Sequence, residues 1–169
     1  MELLFRDTES KSRANDGGEE HLRHCLDIPR WGRALLALTP FADERSLHTA
    51  VMSVAAPFTP AEIDGALRHH PRIGDRPVGD DAGAAFARSE QSGVDSSDAR
   101  VGARLAAGNE EYESRFGRVF LVRAAGRSAA DVLAELDRRL GHDESTELRE
   151  IEDALRQIAA VRLLGPGVL

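Results

Sequence analysis

The chain has 169 residues, 41% of them apolar, 30% charged and only 5% aromatic, the balance of one soluble globular domain with a sizeable core. A formal net charge of −7 and a pI near 5.4 give no general attraction to phosphate backbones or anionic membranes, so neither nucleic acid nor membrane is an expected partner. Cys25 is the only cysteine, which excludes an intrachain disulfide and a multi-cysteine metal site and fits a reducing compartment.

Residues 1–18 are polar, with no apolar signal-peptide core, and read as a poorly ordered lead-in to a domain over 19–169. From near Glu19 the apolar positions fall at helical spacing: Leu22, Cys25 and Leu26, then Trp31, Leu35, Leu36 and Leu38 once Pro29 has interrupted the pattern. Leu47, Val51, Met52 and Ala55 continue it. Thr59-Pro60-Ala61-Glu62 has the makings of a capping box and predicts a helix to about Arg68. His69 to Asp81, with two prolines and two glycines, must be largely irregular.

A short helix is expected around 82–91 and a longer one from Ser97 to Arg115, stopped where Gly117 can take a left-handed conformation. Val119-Phe120-Leu121-Val122 is one short apolar run without a partner strand, so an extended connector or a buried turn is expected instead of a sheet. Ser128 caps a helix bearing Val132, Leu133, Leu136 and Leu140, which Gly141 ends. Leu148, Ile151, Leu155, Ile158 and Val161 mark a last helix over 144–164. The sum is an all-α, single-domain bundle of seven or eight helices.

Four places carry groups suited to chemistry. In His69-His70-Pro71-Arg72-Ile73-Gly74 a helix ends in two histidines and proline turns the chain out, holding a histidine where it can face a cleft; a solvent-exposed helix end is the alternative. Glu90-Gln91 pairs a carboxylate for proton transfer with an amide donor, or is a solvated helix end. Asn109-Glu110-Glu111-Tyr112 through Phe116-Gly117 leads into the apolar run, whose aromatics suit core packing and whose backbone can meet a ureido-rich ligand. Arg162, buried by pattern between Val161 and Leu163, is either a snorkelling or paired arginine or a clamp for an anion.

Taken in order, His70 to Gly74, Glu90-Gln91, Asn109 to Phe120 and Ile158 to Leu163 resemble the motifs of the 2-oxo-4-hydroxy-4-carboxy-5-ureidoimidazoline (OHCU) decarboxylase family over about residues 20–165. The resemblance implies decarboxylation of OHCU to (S)-allantoin in urate degradation, without cofactor or metal, by a homodimer; the final Gly-Val-Leu is not the Ser-Lys-Leu peroxisomal signal, so a cytoplasmic location is expected. It implies catalytic roles for His70 and Glu90, and substrate contacts by Pro71, Ala87, Gln91, Phe120, Leu121, Val122 and Arg162. Ala87 departs from the family's usual serine, which leaves another ureido or imidazolidine acid as an alternative substrate. A noncatalytic helical interaction domain is the alternative of a different class.

Overall fold

The computed structural model describes residues 14–68, 70–74 and 99–165. Within them the chain is all-α, as the patterning predicts, with seven helices: α1 Ala14–Cys25, α2 Pro29–Ala37, α3 Glu44–Ser53, α4 Pro60–Leu67, α5 Ala99–Phe116, α6 Ala129–Arg139 and α7 Glu144–Leu164. The helix expected over 82–91 lies outside the described residues. The chain divides into two compact units, one comprising residues up to Ala66 and from Leu155 onward, the other running from Leu67 to Ala154.

In the first unit α1 opens at Ala14, ahead of the expected start near Glu19. Gly18 is buried, and a Cβ there would lie 3.2 Å from Leu36 Cδ2, so packing on α2 overrides the low helix propensity of the Asp-Gly-Gly run. Pro29 sits in the first turn of α2, where its fixed φ suits a helix start, and Trp31 and Leu35 are fully buried. Leu38 leaves the stripe: it is the C-cap residue and is 53% exposed.

The end of α3 is held by side chains. Val51 O accepts from Trp31 Nε1 at 3.2 Å and from Arg156 Nη1 at 3.0 Å, and Arg156 also reaches Val54 O at 3.0 Å. Because α3 leaves those carbonyls without intrahelical partners, the buried guanidinium, lying 4.0 Å from the Phe58 ring centroid, serves as their cap. The expected capping box of α4 is present, with Thr59 N donating to Glu62 Oε2 at 2.8 Å and Glu62 N to Thr59 Oγ1 at 3.3 Å. Arg30 grips the same carboxylate with Nε at 2.9 Å and Nη2 at 2.8 Å.

In the second unit α5 ends at Phe116, and Gly117 takes the left-handed conformation at φ +66°. Gly108 brings α5 against α6, since a Cβ there would stand 2.6 Å from Leu136 Cδ2. Ser128 caps α6 in a reciprocal box with Asp131. Ile73, Leu105, Tyr112, Phe116, Phe120, Val122, Val132 and Leu136 form one buried cluster. The run 119–122 forms neither a strand nor a turn of helix; it is an irregular connector with Phe120, Leu121 and Val122 buried. In α7 the buried position falls on Glu147 instead of Leu148, for a reason that lies in the candidate site.

Candidate active site

The His70 turn is built by the end of α4 and fastened by α5. His70 N donates to Leu67 O at 3.0 Å, closing the last turn, and Pro71 then carries the chain out of helical geometry. The side chains of His70 and Pro71 are half-buried. Two residues on, Arg72 forms a fork with Glu113, with Nε and Nη2 each 2.5 Å from a carboxylate oxygen. Exposed pairs of this kind add little stability, so the fork's main effect is to orient the turn.

Ile73 plugs into the cluster, and its carbonyl accepts from Asn109 Nδ2 at 3.0 Å in a buried setting. Gly74 closes the turn at φ +89°, a conformation costly for any residue with a Cβ, and an added Cβ would meet Leu105 Cδ2 at 3.0 Å. Two of the sequence elements singled out, His70 to Gly74 and Asn109 to Phe120, are thereby joined.

The connector 119–122 follows α5 directly. Phe120 packs its ring edge-on against Tyr112, with centroids 5.2 Å apart, and its side chain is part of the buried cluster. The Leu121 carbonyl accepts from Arg139 Nη1 at 2.7 Å. Arg139 is buried and ion-paired with Glu147, donating through Nε at 2.8 Å and through Nη2. Tyr112 Oη donates to the same Glu147 oxygen, and His142 Nδ1 lies 3.1 Å from the other. Burial pushes the Tyr112 hydroxyl far above its ordinary range, so it stays protonated and keeps donating. The Arg139 guanidinium also lies 5.0 Å from the Phe120 ring centroid.

Sequence reading assigned no role to Arg139, Glu147 or His142. The signal was there: Val132, Leu136 and Arg139 share a helical face, as do Glu147, Ile151, Leu155 and Ile158, so each ionic residue occupies a core position. Residue type alone points elsewhere, because a charge in the last or first turn of a helix ordinarily serves the macrodipole in solvent.

Glu90, Gln91 and Ala87 lie outside the described residues. Arg162 belongs to the first unit, where it is half-buried and not fully buried as its pattern suggested. Its Nη1 reaches Cys25 O at 3.2 Å and His24 O at 3.3 Å, the carbonyls at the end of α1. An arginine on an apolar helical face can keep its head at polar groups near the surface, which is why flanking by Val161 and Leu163 overstates its burial.

Residues 14–164 match a family model described as OHCU decarboxylase. Among individual proteins, the 2-oxo-4-hydroxy-4-carboxy-5-ureidoimidazoline decarboxylase of Haloferax volcanii is 31% identical over 125 residues, 73% of each chain. That of Amia calva is 29% identical over 126 residues, covering 73% of this chain and 72% of its own. That of Mus musculus is 29% identical over 137 residues, 80% of this chain and 77% of its own. The fold is similar to a crystal structure of OHCU decarboxylase in the presence of (S)-allantoin, at a TM-score of 0.67 and 20% identity, covering 86% of this chain and 96% of that one. With a fold of the same kind and a family match over nearly its whole length, the chain belongs to the OHCU decarboxylase family.

Proposed function

We propose that this chain removes the 4-carboxylate of OHCU as carbon dioxide, yielding (S)-allantoin in urate degradation, without a cofactor. The observation that carries the reading is the fastening of the turn that follows His70 to α5, through Asn109 on Ile73 and Glu113 on Arg72, with the histidine itself half-buried. The C4–carboxyl bond breaks and its electron pair passes into the adjacent ring C=N, whose nitrogen takes a proton. Transfer of the 4-hydroxyl proton to the neighbouring carbon then leaves a ring carbonyl. The ring is its own electron sink, so the protein's task is to orient the substrate and move protons.

In this reading His70 bonds the 4-hydroxyl and carboxylate region and carries the proton, and Glu90 orients it or shares that traffic. Pro71 walls the ring, Gln91 and the backbone of Leu121 and Val122 hold the ureido and ring carbonyl groups, and Arg162 fixes the anion. Ala87, in place of the family's usual serine, brings no hydroxyl to the substrate. Delivery of the proton to one face sets the product's handedness. Residues 19–169 act as the catalytic domain. Resemblance supports a homodimer, and the lone buried Cys25 suits the reducing cytoplasm.

The test uses OHCU freshly generated by urate oxidation and hydroxyisourate hydrolysis, with optically active allantoin followed with and without the protein. Stereoselective acceleration that disappears in folded His70→Ala is the expected result. Full turnover by that variant removes His70 from the mechanism, and no acceleration by folded wild type removes this substrate.

A further inference from the structure

We infer that Arg139, held by Glu147, is a positioning residue for the reaction: by clamping the Leu121 carbonyl it aims the Val122 N–H at a carbonyl oxygen of the substrate. The inference rests on the decarboxylase reading above. It starts from the peptide between Leu121 and Val122, which is planar and trans, so its C=O and N–H point in opposite directions. With the oxygen fixed on Arg139 Nη1 at 2.7 Å, the Val122 N–H is directed away from the Arg139–Glu147 pair. Among the described residues no backbone hydrogen bond engages an N–H of 119–122, although Val122 is buried. A buried N–H calls for a partner, and a carbonyl-rich planar substrate brings one.

The clamp is more rigid than an ordinary core contact. Arg139 spends Nε and Nη2 on Glu147 and Nη1 on Leu121, and Glu147 is itself fixed by Tyr112 and His142. The Phe120 ring also packs on the guanidinium, 5.0 Å from its centroid. Charges are expensive to bury, and a pair whose fork ends on one backbone carbonyl fixes the direction of that peptide before any ligand arrives. Lysine, a point donor, cannot hold Glu147 and Leu121 in the same planar fork.

The test compares wild type with an Arg139→Met/Glu147→Leu double variant, which removes the clamp and leaves no unpaired buried charge. Circular dichroism and thermal unfolding report the fold, freshly generated OHCU gives kcat and KM, and ¹⁵N-valine labelling follows the Val122 amide during titration with (S)-allantoin. The wild-type amide is expected to shift on titration. In the folded double variant that response is lost, kcat/KM falls roughly 10- to 100-fold, and the product loses stereochemical purity, which a merely structural role would leave intact. Arg139→Lys, which keeps the charge beside Glu147 but not the fork, is expected to show the same losses and decides the matter if the double variant does not fold. A wild-type Val122 amide indifferent to (S)-allantoin, or a folded variant with unchanged kcat/KM and product purity, overturns the inference while the decarboxylase reading stands. Wild type inactive on OHCU overturns both.

Discussion

Replacing Asn109 tests whether the His70 turn is held from beneath. Asn109 is only 4% exposed, and its Nδ2 donates to Ile73 O at 3.0 Å, while its Oδ1 has no partner among the described residues. Asn109→Ala strands the Ile73 carbonyl, a loss of about 1–3 kcal/mol, but it also removes an acceptor that was already unsatisfied, which offsets part of that. A net destabilisation of about 1–2 kcal/mol is expected, or roughly 2–8 °C in Tm for a chain of this size. Asn109→Asp keeps the shape and turns the donor into an acceptor facing a carbonyl, burying a carboxylate without a partner, so it should cost about 3 kcal/mol or more. Urea denaturation at neutral pH, paired with OHCU turnover on the same preparations, checks both effects. The stability order is wild type, then Ala, then Asp, and kcat/KM falls at least about tenfold in Ala because the His70 turn loses its anchor. An Asp variant as stable as wild type, or an Ala variant with full turnover, would refute the reasoning.

Three further outcomes follow from other contacts. Gly108→Ala drives a Cβ to within 2.6 Å of Leu136 Cδ2 and should destabilise by about 1–3 kcal/mol through overpacking, read as a lower urea midpoint. The Arg30 hydrogen bonds pull the Glu62 carboxyl down to about 2 against the opposing effect of burial, so the folded pKa lies below the unfolded one. Its stabilising effect is therefore complete above about pH 4.5 and lost as pH falls toward 2. Part-exposure of both side chains makes the effect small, and Glu62→Gln should flatten the stability-versus-pH curve within that window and nowhere else. Burial pushes the Cys25 thiol up to about 11, so at pH 8 it should resist a thiol reagent until urea unfolds the protein; rapid labelling of native protein would contradict its placement.

Local chemistry decided much of this molecule before any packing. Thr59 with Glu62 and Ser128 with Asp131 start their helices through bonds to groups three residues away, Gly117 stops α5, and the apolar spacing from Glu144 to Leu164 marks α7, all properties of neighbours along the chain. The family motifs were legible in the same way, as short runs of residue types. Packing decided what spacing could not. Asp16-Gly17-Gly18 reads as part of a poorly ordered lead-in yet is helical, with Gly18 fitted against Leu36, and Arg162 is half-buried because its head is drawn to the carbonyls ending α1. Most of all, Arg139 and Glu147 look like ordinary helix-end charges until residues eight apart in sequence meet the Leu121 carbonyl and the Tyr112 hydroxyl in one buried cluster. A charge costs little in water and much in a core, so only the tertiary structure, by determining what surrounds each ion, decides whether the same residue is solvated or fixes the direction of a peptide.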